Sequence, residues 1–391
     1  MSKSAAFFYT PDFLRYRFGE EHPFNPLRLE LTVDLLHDCK LLDPADCLPP
    51  RVATADELAT FHDPSYIETV RETSLLGYPT AEAAAHDLGT EDNPVFADMH
   101  EATAAVVGAT LQAGETVMEG KAEHALNLAG GLHHAHRKRA SGFCIYNDVA
   151  ILIHFLRRKY QARVAYVDTD AHHGDGVQWA FYDDPEVLTI SLHETGRYLF
   201  PGSGYLHELG EGRGYGYAVN VPLEAFTQDA SFTECFETVV PTLLRAFEPD
   251  VIVSQNGCDG HVWDPLTHLS LTSLSFRRVP EVVHRLAHEL AGGRWIALGG
   301  GGYDIWRVVP RAWATLWSEL SGRPLPPRIP SSWIDRWQPK APERLPESFD
   351  DDADTAPPIP RRREIEEKNR ITARAAVENA SPLVRGIRGM A

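Results

Sequence analysis

Four short polar clusters in this 391-residue chain hold residue types suited to hydrolytic metal chemistry. The densest reads Asp168-Thr-Asp170-Ala-His172-His173-Gly174-Asp175. Side chains two apart in an extended segment point the same way, so Asp168, Asp170 and His172 converge. Two carboxylates and an imidazole suit a divalent cation that keeps open coordination positions. Carboxylates buried at a strand end also need a cationic partner to offset lost hydration. Solvated loop acids are the plainer alternative, but a loop has no need of this spacing. The second cluster, Ala129-Gly-Gly-Leu-His133-His134, sets two adjacent imidazoles after a tight turn, where they are candidates for proton transfer. A pair of surface histidines is the competing reading.

The third cluster is Gln255-Asn-Gly-Cys258-Asp259-Gly-His261. Asp259 follows a run of strand-forming residues and is a candidate third ligand. His261 and His268 are its rivals further along the loop, and an Asp among glycines is also ordinary turn chemistry. The fourth is Gly299-Gly-Gly-Gly-Tyr303. Successive glycines cost chain entropy and pack nothing, so they point to backbone passing close to a ligand or to a moving loop. Tyr303 would then offer a phenolic hydrogen bond at the site. An EF-hand is excluded, because loop positions six and twelve counted from Asp168 hold His173 and Trp179. A phosphatase-type Asp-x-Asp loop normally continues with Gly-Thr, whereas Ala-His follows here, so a phosphatase stays open as a weaker alternative. No Gly-Lys-Ser/Thr follows the glycine run, so it is not a P-loop.

The elements that must position these clusters alternate between two patterns. Arg163-Val-Ala-Tyr-Val, Val187-Leu-Thr-Ile-Ser, Val251-Ile-Val-Ser and Trp295-Ile-Ala-Leu read as buried strands, and Ala125-Leu-Asn-Leu is an apolar stretch before the histidine pair. Helical periodicity falls between them. One helix starts at Asn147-Asp148, one at the capping box Ser231-Phe-Thr-Glu234 with Pro241 able to split it, and one near Pro280 that stops at Gly292-Gly293. This rhythm predicts an α/β domain with a parallel sheet covered on both faces, in which ligands bind beyond the carboxyl ends of the strands. The expected division is a domain over 1–322 and a Pro- and Asp-rich tail over 323–391. That tail wraps or dangles, with a charged surface helix between Arg361 and Ala376.

Bulk properties narrow the function. A formal net charge of -18 argues against a general nucleic-acid surface and is compatible with cationic substrates. The five cysteines form no C-x-x-C pair, so a disulfide frame is not expected. The N-terminal MSKSAAFFYTPDF lacks an apolar run long enough for a signal peptide, and no stretch nears the ~18 apolar residues of a membrane helix. A cytoplasmic protein that binds neither nucleic acid nor membrane is expected, with its oligomeric state open.

Taken together, Gly-Gly-Leu-His133-His134, Ser141-Gly-Phe-Cys, Asp168-x-Asp-x-His-His-Gly-Asp-Gly176, Phe200-Pro-Gly and the glycine quartet with Tyr303 resemble the zinc-dependent histone deacetylase superfamily. The likeness spans roughly Phe8 to Trp317. It is closest to class I enzymes and the bacterial acetoin-utilisation-type deacetylases. The resemblance implies the single-domain arginase/deacetylase α/β fold with about eight parallel strands. It also implies hydrolysis of acetyl-lysine to amine and acetate. Zn2+ (or Fe2+) would sit on Asp170, His172 and Asp259. His133 would pair with Asp168 and His134 with Asp175 for acid–base work, His134 being the main base, while Tyr303 polarises the carbonyl. Phe143 and Phe200 would wall an acetyl-lysine tunnel beside Gly142, with Asp92 at the rim and Arg28 behind the metal. A structural K+ is implied near the Asp170–His172 loop and Ser191-Leu192. The loop Gly-His-Val-Trp-Asp-Pro-Leu-Thr-His after Asp259 departs from the eukaryotic pattern and leaves the substrate open. Acetylated lysine in proteins and small acetylated amines such as acetylpolyamines are both candidates. A non-catalytic acyl-ligand sensor is a third reading.

Overall fold

The computed structural model describes residues 3–43 and 45–388. The outer ends of the two expected segments, residues 1–2 and 389–391, lie outside the described residues. The strands are β1 (Lys3–Phe8), β2 (Cys47–Leu48), β3 (Ala122–Asn127), β4 (Val164–Asp168), β5 (Val187–Glu194), β6 (Ala218–Leu223), β7 (Val251–Gln255) and β8 (Trp295–Leu298). The first helices are α1 (Leu27–Asp38), α2 (Ala55–Leu58), α3 (Pro64–Leu76), α4 (Ala81–Ala85), α5 (Met99–Met118) and α6 (Asp148–Tyr160). They are followed by α7 (Asp175–Ala180), α8 (Asp229–Phe247), α9 (Ser273–Leu290), α10 (Val309–Ser321), α11 (Ser331–Trp337) and α12 (Arg362–Arg388).

All eight strands join one parallel sheet in the order β2-β1-β3-β8-β7-β4-β5-β6. A parallel sheet needs both faces covered, and alternate residues of β8 show how this is done. Ile296 and Leu152 of α6 lie against Gly114 of α5, whereas Trp295 stacks on His284 of α9. Every residue of β4, β5, β7 and β8 is buried, which is why these four read as unbroken apolar runs. The register aligns the ends of the central strands: Asn127 is opposite Leu298, Leu298 opposite Gln255, and Gln255 opposite Asp168.

Helix starts differ from the sequence reading in two places. Asn147 does cap α6, its side-chain oxygen accepting from Ala150 N at 2.8 Å. The helix expected to open at Ser231 begins two residues earlier, with Gln228 as N-cap, and Ser231 lies buried in its first turn. It runs through Pro241 without splitting, because Phe232, Phe236, Val239, Val240 and Leu243 form a continuous buried face. Likewise Pro280 lies inside α9 rather than at its start. Thr272 caps the helix seven residues upstream of Val279, and burial of Val279, Val282, Val283 and Leu286 outweighs the lost backbone bond.

The described chain after Gly322, residues 323–388, wraps the domain. Trp333 and Trp337 of α11 are buried, and their indole N–H groups donate to Leu31 O at 3.1 Å and Asp34 Oδ2 at 2.6 Å. Asn369 of α12 is fully buried and donates to Thr227 and Ser231 beside α8. Between these helices the Asp351 side chain, 2% exposed, is an anchor. Arg311 Nη2 lies 2.8 Å from its Oδ1, while His261 Nε2 at 3.0 Å and Ser273 N at 2.7 Å meet its Oδ2. Burial alone would raise its pKa, but the His261 bond and the Arg311 charge hold this carboxyl well below the usual range. Asp351→Ala strands the buried Arg311 charge and is expected to cost about 3 kcal/mol, read as a lower urea midpoint. Because the folded-state pKa is depressed, this contribution is complete above about pH 4 and fades as pH falls. The gap between wild type and Asp351→Ala should narrow accordingly; an equal midpoint at neutral pH would refute the anchor.

Candidate active site

The four clusters follow β3, β8, β7 and β4, which are consecutive neighbours in the sheet. Their aligned carboxyl ends bring residues 129–134, 168–175, 255–259 and 299–303 together. Oxygen and nitrogen atoms of Asp170, His172 and Asp259 lie within 4.8 Å of one another, and all three residues are buried. His172 Nδ1 is 3.2 Å from Asp170 Oδ1 and 2.8 Å from Asp259 Oδ2. Burial and the Asp170 charge push Asp259 up, while the two carboxylates together raise His172 well above its ordinary value against the opposing effect of burial. His172 thus lies between two buried carboxylates that call for a cation, and the donor set fits Zn2+ or Fe2+. A Cβ at Gly301 would sit 2.1 Å from Asp259 Oδ2 and 2.7 Å from Asp170 Oδ2, so only glycine lets the backbone pass here. Gly301 N uses that approach to donate to Asp170 Oδ2 at 2.6 Å.

The histidine pair is held differently at its two members. His133 Nδ1 is 2.8 Å from Asp168 Oδ2, which also accepts from Tyr166 at 2.7 Å. His134 Nδ1 is 2.8 Å from Asp175 Oδ1, and His136 Nε2 is 3.1 Å from the other oxygen of Asp175. Burial would depress His133, but the charges of Asp168 and Asp170 outweigh it and lift it to about 9. His134 is held down to about 4, first by burial and then by the charge of His133. One imidazole is therefore poised as a cation and its neighbour as a free base. A divalent ion nearby would cancel part of the anionic field and draw His133 downward.

A channel of about 210 Å³ opens onto these groups. Gly142, Phe143, Leu199, Phe200 and Leu266 line it with His134, His172 and Tyr303, and the exposed Asp92 stands at its mouth. The rings of His134 and Phe200 are 5.0 Å apart, and those of Phe143 and Tyr303 5.8 Å apart. Burial, then Asp259 and Asp170, keep the Tyr303 phenol well above its ordinary pKa and hence protonated. A larger cavity of about 550 Å³ between Phe226 and α12 contains none of the four clusters, so chemistry selects the smaller one. Arg28 is buried behind the glycine run and donates to Gly300 O at 2.9 Å and Gly302 O at 3.1 Å. Ser191 pairs in register with Asp168, its hydroxyl 2.7 Å from His193 Nδ1, and Leu192 is fully buried beside it.

His261 and His268, the rivals of Asp259, turn elsewhere: His261 to Asp351, and His268 Nδ1 to Glu194 at 2.8 Å. Several neighbours escaped the sequence reading. Gln255 Nε2 donates to Asp170 Oδ2 at 2.8 Å, and Asp264 Oδ2 accepts from Tyr303 N at 2.8 Å. Asp148 accepts from Gly131 N and Leu132 N and so fixes the turn before His133. Tyr166 had a legible signal, since it sits two residues before Asp168 on the same side of β4. His136 and Asp264 had none, because their roles depend on loops folding back.

Known proteins resemble this chain over most of its length. The histone deacetylase domain model matches residues 22–320. The acetoin utilization protein AcuC of Bacillus subtilis is 53% identical over 375 residues, covering 96% of this chain and 97% of that protein. AcuC of Staphylococcus aureus is 46% identical, covering 95% and 96%. A crystal structure of an HDAC homologue complexed with SAHA matches 94% of this chain and all of its own, with a TM-score of 0.84 at 33% identity. The HDAC homologue from Aquifex aeolicus matches the same shares with a TM-score of 0.83 at 32% identity.

Proposed function

The chain belongs to the histone deacetylase family, and from that membership we propose that it hydrolyses acetyl-lysine to lysine and acetate. The supporting observation is the meeting of Asp170, His172 and Asp259 with two carboxylate-held imidazoles and Tyr303 at one aromatic-walled channel. A divalent ion on that triad, Zn2+ or Fe2+, supplies Lewis acidity toward the amide carbonyl and water. The two anionic donors blunt that acidity, so a base is still needed. His134, neutral and oriented through Nδ1 by Asp175, takes the proton of the attacking water and returns it to the leaving nitrogen. His133, kept cationic by Asp168, stabilises the negative charge that develops beside it. The Tyr303 phenol donates to the carbonyl oxygen as it becomes an oxyanion. Phe143 and Phe200 hold the apolar stem of lysine, Gly142 leaves room between them, and Asp92 accepts from the substrate backbone.

Arg28 keeps Gly300 to Gly302 in place behind the triad. A structural K+ beside the 170–172 loop and Ser191-Leu192 completes the proposal, since such a hard cation takes oxygen donors. Residues 1–322 then form the catalytic unit and 323–391 its tail. Among the described residues no helix is long and apolar enough to cross a membrane; cytoplasmic residence is part of the same proposal.

The test is acetate release by Zn2+- or Fe2+-loaded protein from an acetyl-lysine peptide, run beside acetylated polyamines, which the net charge of -18 also suits. Tyr303→Phe should lower kcat by about 10²-fold with little change in KM, as expected for a contact made in the transition state. Preference for polyamines would redirect the substrate assignment. Wild-type inactivity on every acyl-amine would overturn the hydrolase reading in favour of a sensor.

A further inference from the structure

We propose that His124, His284 and His288 form a second transition-metal site, at the far end of the sheet from the channel. His284 and His288 are four residues apart on α9 and so share one face of the helix. His124 lies on β3 opposite Trp295, the first residue of β8, and is buried. His284 Nε2 is 3.1 Å from that of His124 and 3.0 Å from that of His288, and ligand nitrogens of all three rings lie within 4.8 Å of one another. Tetrahedral zinc with Zn–N bonds of 2.0–2.1 Å sets its nitrogens about 3.3 Å apart, close to this spacing.

Hydrogen bonding among the imidazoles explains the cluster poorly. His284 Nδ1 is 2.6 Å from Glu319 Oε1, so that nitrogen carries the proton donated to the carboxylate. Its Nε2 is left with one lone pair facing two ring nitrogens. A cation between the three Nε2 atoms uses all their lone pairs at once. Glu319 then serves as the carboxylate that fixes ring orientation behind a ligating histidine. Trp295, stacked on His284 at 5.9 Å between centroids, holds the ring from the side. Gly293, at φ +82°, lies where a Cβ would come within 3.2 Å of the His288 ring. His288 is exposed, which gives an ion an entry path and a solvent position for a fourth ligand.

Three imidazoles suit Zn2+, Ni2+, Co2+ or Cu2+. The site joins β3 to α9 and touches no residue of the channel, so it cross-links the fold without entering the reaction. Its occupancy should raise the unfolding temperature by binding the native state alone.

The full-length chain, stripped by chelator and reloaded with Zn2+ alone, should retain two ions after desalting, measured by elemental analysis. His288→Ala and His124→Gln should each retain one, with acetate release unchanged and a smaller Zn2+-induced rise in Tm. Asp170→Asn should also retain one, and its combination with His288→Ala none. Because His288 is exposed, its replacement leaves the core intact, and circular dichroism checks this. Equal Zn2+ content and equal Tm shift in wild type and His288→Ala would overturn the second site. Loss of an ion in His288→Ala but not in Asp170→Asn would sustain it while rejecting the channel triad.

Discussion

Asp170→Asn is expected to leave the chain folded, to remove the ion from the channel triad, and to slow acetate release by about 10³-fold. The size follows from losing several kcal/mol of Lewis-acid stabilisation at 1.36 kcal/mol per tenfold. The substitution is nearly isosteric, yet both oxygens of Asp170 accept N–H groups. Oδ1 takes His172 N at 2.9 Å, and Oδ2 takes Gln255 Nε2 and Gly301 N. Whichever way the amide is flipped, its NH2 meets donors, at a cost of about 1–3 kcal/mol in local order. Against this, removing one of two buried anions relieves the repulsion that pushes Asp259 up. Stability of the ion-free protein should therefore change little, while ion content and turnover fall together. Metal analysis and single-turnover kinetics on the same sample check this. Undiminished turnover with a full complement of metal would sink the triad.

The sequence made this triad legible for a physical reason. Each donor lies within a few residues of a strand buried on both faces, and such strands are unbroken apolar runs that stand out in composition. Once β4, β7 and β8 were located, a parallel sheet had to bring Asp170, Asp259 and Tyr303 to one end. The choice among Asp259, His261 and His268 was not decidable from spacing alone. It is made by Asp351 and Glu194, which come from 92 residues downstream of Asp259 and from the end of β5 and draw the two histidines away. Edge elements were harder to read. β1, Lys-Ser-Ala-Ala-Phe-Phe, is half small residues, and β6 carries Asn220 and Pro222, so neither shows a strong run. Ser231 and Pro280 imitate helix starts, but the true starts are set by buried faces that extend upstream. The histidines on α9 gave no hint of His124, because sequence distance hides a contact between a strand and a helix 160 positions apart.

The division of labour between the paired histidines follows from their surroundings. His134→Asn should lower kcat by about 10³-fold, within the range for loss of a positioned general base. His133→Asn should cost less, about tenfold to a hundredfold, because it removes a charge rather than the proton acceptor. Without an ion in the triad, Asp168 and Asp170 outweigh burial and lift His133 to about 9, and Asp168, 2.8 Å from Nδ1, still favours the charged ring when an ion offsets the Asp170 charge. His134 faces Phe200 at 5.0 Å, and burial together with the His133 charge holds it down to about 4, so it is the unprotonated member. The two are linked: neutralising position 133 removes the charge that depresses His134. In His133→Asn the acidic limb of the pH–rate profile should therefore move to higher pH, since His134 then takes up its proton more readily. In His134→Asn that limb should disappear along with most of the rate. An acidic limb that stays put in His133→Asn, or equal losses from the two variants, would show that both imidazoles act as one unit and that His134 is not the base by itself.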